Sequence, residues 1–184
     1  MNELPQLRTA RLLLRPFLAA DAPAVERCVS DRDVARMTLS IPHPYPEGAA
    51  VTWIASHAER FATGHAAVFG ITTVAEGLVG AIGLEINPEH RHAELGYWIG
   101  KNHWNHGYAT EAARAVLSYG FRERLLHKIF ARHMRHNPAS GRVLQKLGMQ
   151  HEGGQRQHFF RLGEFVDLEL YAVLRDEFDG QVRA

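Results

Sequence analysis

The chain reads as one mixed α/β domain. Stretches of two-residue alternation interleave with stretches of helical spacing along its length. Past the midpoint, a glycine-containing loop joins one such strand to a strongly amphipathic helix. The 184 residues suit a single domain over 1–184, and no internal repeat, low-complexity tract or linker divides them.

Thr9 to Phe17 is expected to be the opening strand, closed by Pro16 and a polar turn. Asp21 is placed to cap a helix carrying Val25, Cys28 and Val29. Ser40 to Pro46 holds three prolines, which exclude both helix and central strand. Glu47 to Phe61 then has helical spacing, with Ala50, Trp53, Ile54, His57, Ala58 and Phe61 inward and a stop near Gly64. Ala66–Thr73 and Leu78–Ile86 pair as a hairpin around Ala75-Glu76-Gly77, and the next strand starts at His92. There Leu95, Tyr97 and Ile99 alternate with Glu94, Gly96 and Trp98. After the loop, Ala109, Ala112, Ala113, Val116, Leu117 and Phe121 share one helical face. Lys128–His133 is a strand. Asn137-Pro138 opens a helix, with asparagine as cap and proline at the first position, that buries Val143, Leu144 and Leu147 and stops at Gly148. A closing hairpin spans about Gln150 to Leu174, turning at Leu162-Gly163-Glu164.

Composition narrows the function classes. A hydrophobic content of 46% is ordinary for a globular protein with a sizeable core. The net charge of +1 offers no electrostatic case for nucleic acid or an acidic membrane surface. No twenty-residue apolar run occurs, and Met1-Asn2-Glu3-Leu4-Pro5 lacks the apolar core of a signal peptide. Cys28 is the only cysteine, so no internal disulfide can form, which fits a reducing cytoplasm; it is expected to be a packed residue, not a nucleophile. His103-x-x-His106 and His133-x-x-His136 lack the glutamate or cysteine partners of known metal motifs, so no metal is expected.

The stretch from Glu94 to Phe121 carries the chemistry. A strand feeding a helix through a glycine turn aims free backbone N–H groups at one spot, and the helix dipole adds positive potential there. Such a place holds a phosphate. The Walker pattern is absent, and Gly107-Tyr108-Ala109 is not the Gly-x-Gly-x-x-Gly of a first βαβ turn.

Trp104-Asn105-His106-Gly107-Tyr108-Ala109-Thr110-Glu111-Ala112, following Gly96-Tyr97-Trp98-Ile99, resembles the pyrophosphate loop of GNAT acetyltransferases, more narrowly the branch of the ribosomal-protein N-terminal acetyltransferases RimJ and RimL. Trp104 replaces the usual Gln or Arg at the start of that loop, as is common in this branch. The segments Thr9-x-Arg11-Leu12-Leu13-Leu14-Arg15 and Asn137-x-x-Ser140…Leu147-Gly148-Met149 extend the resemblance, and the element order fits over nearly the whole chain. The resemblance implies the GNAT fold: a mixed central sheet of about seven strands, helices on both faces and a splayed central strand pair. It also implies acetyl transfer from acetyl-CoA to an amine, a peptide N-terminus or a small amine, with the protein a monomer or homodimer. The Pro-rich loop Met37–Pro46 and the hairpin Gly153–Phe165 match no motif, and in this fold both normally frame the acceptor pocket.

Residue roles follow from the same resemblance. Backbone N–H groups from His106 through Gly107, Tyr108, Ala109 and Thr110 are expected to cradle the CoA diphosphate, with Asn105 and Thr110 adding side-chain bonds and Trp104 opening the loop. An unpaired N–H within Trp98 to Gly100, best placed at Ile99, would donate to the thioester oxygen. Gly96 and Gly100 beside it either admit a ligand or merely ease packing. Glu94 is the first candidate base, acting through a water, and Glu85 the second; either could instead pair with a cation. Ser140 would protonate the departing thiolate, or simply satisfy a helix-start N–H, while Asn137 caps its helix and bonds the pantetheine arm. Lys101, His103 and His106 are cations within range of the phosphates, or solvated. A binding module without transfer, and an enzyme using a larger acyl-CoA, remain alternatives.

Overall fold

In the computed structural model, which describes residues 3–182, the opening segment is a hairpin and not one strand. Leu7–Arg8 (β1) and Leu13–Arg15 (β2) pair antiparallel around a turn that Thr9 closes. The Thr9 N–H donates to the Leu12 carbonyl at 3.0 Å, and the Leu12 N–H donates back to the Thr9 hydroxyl at 3.0 Å. The strand expected over Thr9–Phe17 is therefore cut to three residues, because the threonine bends the chain.

Two short helices follow, Ala22–Val29 (α1) and Arg32–Arg36 (α2), of which the second has no counterpart in the sequence reading. Asp21 precedes α1, but its side chain does not cap it. The carboxylate instead receives both Arg15 amino groups and the Leu18 N–H. Arg15 holds its pKa below the ordinary aspartate value, against the opposing effect of burial.

Ala49–Ala62 (α3) leads into the hairpin Ala66–Thr73 (β3) and Gly77–Asn87 (β4). Ala58, expected inside α3, faces solvent; Ala50, Ile54 and Phe61 make the buried stripe. His92–Ile99 (β5), Tyr108–Arg122 (α4), Lys128–Met134 (β6) and Pro138–Lys146 (α5) come next. Gln150–Arg161 (β7) and Glu164–Leu174 (β8) form the closing hairpin, and Arg175–Val182 (α6) ends the described chain.

One sheet of eight strands runs in the order β1-β2-β3-β4-β5-β6-β8-β7, one strand more than expected because the opening segment splits. All neighbours are antiparallel except β5 and β6. These two share register only over His92↔Lys128, Ala93↔Ile129 and Glu94↔Phe130, then part. The sheet thus opens a gap at its centre, as the resemblance implied.

The two faces of β5 serve two cores. Leu95 and Ile99 pack with Ala112, Val116 and Leu117 of α4, and Trp98 packs with Val25 of α1 and Ile54 of α3. Burying each Val, Leu or Phe contributes about 1.5–3 kcal/mol. Gly120 lets α4 lie close on the sheet: a Cβ there would stand 2.7 Å from the Ile129 side chain. Among the described residues, no helix is long and apolar enough to cross a membrane.

Candidate active site

The loop after β5 is built to expose amides. Gly107 caps α4 with φ at +79°, a left-handed backbone that glycine adopts without strain. The first intrahelical bond runs from the Glu111 N–H to the Gly107 carbonyl at 3.1 Å. The N–H groups of Gly107, Tyr108, Ala109 and Thr110 consequently have no intrahelical acceptor and point out of the helix start. Trp104 pins the loop from below, its indole N–H donating to the Ile99 carbonyl at 2.7 Å.

Arg11 pins the loop from above. Its guanidinium donates to the His106 carbonyl at 2.9 Å and to the Glu111 carboxylate at 2.7 Å, and lies over the Tyr108 ring at 5.1 Å. Glu111 also accepts from the Thr9 hydroxyl at 2.6 Å and the Arg11 N–H at 2.9 Å. Burial works to raise the Glu111 pKa, but the Thr9 hydroxyl and the Arg11 donors together hold it below its ordinary value. Thr9 and Arg11 of the opening motif thus buckle the first hairpin to the loop before α4. Sequence reasoning did not foresee this, because the partners lie a hundred residues apart.

A cavity of about 370 Å³ lies over these amides. Every residue assigned from the sequence to the CoA side lines it except Lys101 and His106, the latter with its ring stacked on Tyr108. The other proposed cations are occupied: Lys101 bonds Asp33 at 2.7 Å, and His103 bonds Glu76 at 2.7 Å. Asn137 caps α5 as expected, accepting from the Ser140 N–H at 3.2 Å, and its amide donates to the Met37 carbonyl at 3.1 Å.

The second cavity, about 520 Å³, opens on the far side of the sheet gap. The two share Met37, Thr38, Tyr97, Trp98 and Ser140. At that junction the Tyr97 hydroxyl lies 2.7 Å from the Ser140 Oγ. Burial pushes the Tyr97 pKa up to about 12, with the Ser140 bond acting in the opposite sense, so the phenol stays protonated near neutrality. Tyr97 is a site residue that sequence reasoning missed. The sequence placed it only in the alternation of β5, and its partner Ser140 lies 43 residues further on.

Main-chain direction at the junction follows from pairing. The Gly100 N–H donates to the Val79 carbonyl at 2.9 Å, so by antiparallel alternation the Trp98 N–H also faces β4. The N–H groups of Tyr97 and Ile99 then face the gap, where β5 has no partner strand. The glycines divide between the two expected roles. A Cβ on Gly96 would meet nothing within 4 Å in the second cavity, whereas one on Gly100 would stand 3.0 Å from the Cys28 sulfur. Gly96 leaves room, and Gly100 eases packing.

Both candidate bases line the second cavity, and both are paired. Arg132 grips Glu94 with two bonds, at 2.9 and 2.7 Å, and the bonds raise the arginine pKa against the effect of burial. Arg60 likewise grips Glu85, with one bond at 3.1 Å and a shorter second. His133, buried in β6, also lines this cavity. Its Nδ1 donates to the Met134 carbonyl at 2.9 Å, and its Nε2 has no hydrogen-bond partner among the described residues.

The fold and loop have counterparts among known proteins. Residues 11–150 match the model of the acetyltransferase (GNAT) domain. The N-acetyltransferase YoaA of Bacillus subtilis (strain 168), itself uncharacterised, is 34% identical over 173 residues, 93% of this chain and 97% of that protein. A 79-residue stretch is 35% identical to the [ribosomal protein uS5]-alanine N-acetyltransferase of Escherichia coli (strain K12), covering 43% of this chain and 41% of the enzyme. The crystal structure of a GNAT-family acetyltransferase from Bacillus anthracis superposes with a TM-score of 0.83 and 31% identity, covering 94% of this chain and all (100%) of that one. Spermidine N-acetyltransferase from Vibrio cholerae, solved with CoA and spermine, shares the fold with a TM-score of 0.81 at 23% identity over 92% of this chain and 99% of that one. With an amide cradle on one side of a parted sheet and an open cavity on the other, the chain belongs to the GNAT family and is an acetyl-CoA-dependent N-acetyltransferase.

Proposed function

We propose that the chain moves the acetyl group of acetyl-CoA directly to a primary amine, a peptide α-amine or a small amine, with both substrates bound together. One observation carries this reading: the two cavities meet at Tyr97, Trp98 and Ser140 in the gap between β5 and β6. A donor on the amide side and an amine on the other would face each other there, which turns a bimolecular encounter into attack within one complex.

The first-turn amides of α4 hold the diphosphate, and the Ile99 N–H donates to the oxygen on which charge develops. An α-amine has a pKa of about 7.7–8.0, so a minority is neutral at pH 7 and a modest base suffices. Glu94 takes that proton through a water, and its two bonds to Arg132 hold the carboxylate in place. The departing thiolate collects a proton from the Ser140 hydroxyl as the C–S bond breaks and the amide C–N bond forms. The Tyr97 phenol returns a proton to the serine oxygen and is itself reprotonated from water, which balances the proton that the amine passes to Glu94. Tyr97 donates to the Ser140 Oγ and thereby turns the serine proton toward the sulfur. Glu85, paired with Arg60, lies in the outer part of the acceptor side.

The test is thiol release from acetyl-CoA over a panel of peptides and small amines. Turnover with at least one amine, lowered about a hundredfold in Ser140→Ala, is expected. No turnover with any amine, while CoA still binds, would overturn the reading.

A further inference from the structure

We infer that the acceptor is a primary amine on an uncharged, apolar body, with neither a second ammonium nor a carboxylate; this rests on the acetyl-transfer reading above. The charges around the second cavity carry the argument. Its only carboxylates among the described residues are Glu85 and Glu94. Each is already bound by an arginine through two bonds. A polyamine needs a free carboxylate for its distal ammonium, because a cation leaving water without a partner is costly. Here each carboxylate is already neutralised by its arginine, so neither presents an unpaired negative charge to a second ammonium.

A free amino acid fares no better. Arg132 is taken by Glu94, and Arg161, behind the lining residues Thr38 and Ile41, is spent on main-chain carbonyls. The Arg161 guanidinium donates to the carbonyls of Ala35 at 2.8 Å, Thr38 at 3.0 Å and Ile41. Asn137 adds its bond to Met37. The closing hairpin and the segment after α2 are in this way tied together into a preformed wall. What the wall and floor present is apolar: Leu39, Ile41, Trp53, Met134 and Phe159. Removing apolar surface from water there contributes about 25 cal/mol per Å². The open space beside Gly96 leaves room for the amine at the junction itself.

The experiment titrates the CoA-bound protein with phenylalaninamide, phenylalanine and spermidine by calorimetry, and runs the same three as acceptors with acetyl-CoA. Phenylalaninamide is expected to bind about tenfold more tightly than either of the others. In Arg132→Gln, which frees the Glu94 carboxylate, the preference should shift about tenfold toward spermidine while CoA affinity holds. Spermidine or phenylalanine binding as well as the amide in the unaltered protein, or no binding of the amide, would overturn the inference. The two readings fail separately. Preferred transfer to spermidine leaves acetyl transfer standing, whereas tight binding of the amide without acetylation of any amine removes acetyl transfer alone.

Discussion

Arg11→Ala tests whether the phosphate loop is held by the first hairpin. The substitution removes three things at once: the bond to the His106 carbonyl, the paired charge on Glu111 and the guanidinium over Tyr108. A bond to a carbonyl is worth about 1 kcal/mol net. The ion pair is worth less than about 1 kcal/mol, because the Arg11 side chain is 52% exposed and solvent screens it. The ring contact adds about 0.5 kcal/mol at such an exposed site. Together these give roughly 2 kcal/mol of loop ordering, of which about 1–2 kcal/mol should reach CoA affinity, a loss of about 5- to 30-fold. Glu111, left with only Thr9 and the main-chain N–H, would also add an uncompensated negative charge beside the diphosphate site. Calorimetric titration of CoA into the parent and the variant reads the effect directly. Arg11→Lys keeps the charge but loses the fork, and should fall between them. The difference should narrow in high salt, since exposed charges are screened. An Arg11→Ala dissociation constant within about twofold of the parent value would refute the buckle.

Three further outcomes are expected. Gly107→Ala places a Cβ on a left-handed backbone and 3.4 Å from the Arg11 guanidinium, so it should cost about 1–2 kcal/mol and weaken CoA binding about tenfold by calorimetry; unchanged binding would sink the amide-cradle geometry. Tyr97→Phe should lower kcat about tenfold with little change in the KM for acetyl-CoA, and should add nothing once Ser140 is alanine; independent, multiplying losses would separate the two hydroxyls. His57 packs against Phe17 and Trp53 with neither ring nitrogen bonded among the described residues, and burial, with Arg60 nearby, lowers its pKa from 6.5 to about 4. Since the unfolded chain takes up this proton first, stability should be complete above pH 6.5 and fall as pH drops toward 4, by at most about 3 kcal/mol and, given partial solvent access, about 1–2 kcal/mol. Unfolding free energies from urea titrations at pH 7 and 5 should differ by about that amount in the parent and much less in His57→Leu; an equal drop in both removes His57 as the cause.

Much of this architecture could be read from residue order. The alternation in β3, β4 and β5, the apolar stripe of α4, the Asn137 cap and the left-handed stop at Gly148 all depend on neighbours a few positions away. Local periodicity and capping chemistry report such neighbours faithfully. The same is true of the amide cradle, because one loop and the helix it opens contain all of its parts. Where the reading slipped, a side chain had found a partner other than the one its local pattern suggested. Thr9 bent the expected first strand while bonding Glu111, and Asp21 turned from its helix to Arg15.

What residue order determined, then, is the fold family and the exposed amides at the start of α4, since both are written in short-range patterns. The acceptor side was decided only when the chain closed on itself. Glu94 meets Arg132 across β5 and β6, Tyr97 meets Ser140 across the gap, and Arg161 reaches back to Ala35, Thr38 and Ile41. No spacing rule links residues so far apart. Whether a carboxylate there is a free anion or half of an ion pair depends on which strands lie side by side, and that is a property of the packed molecule alone.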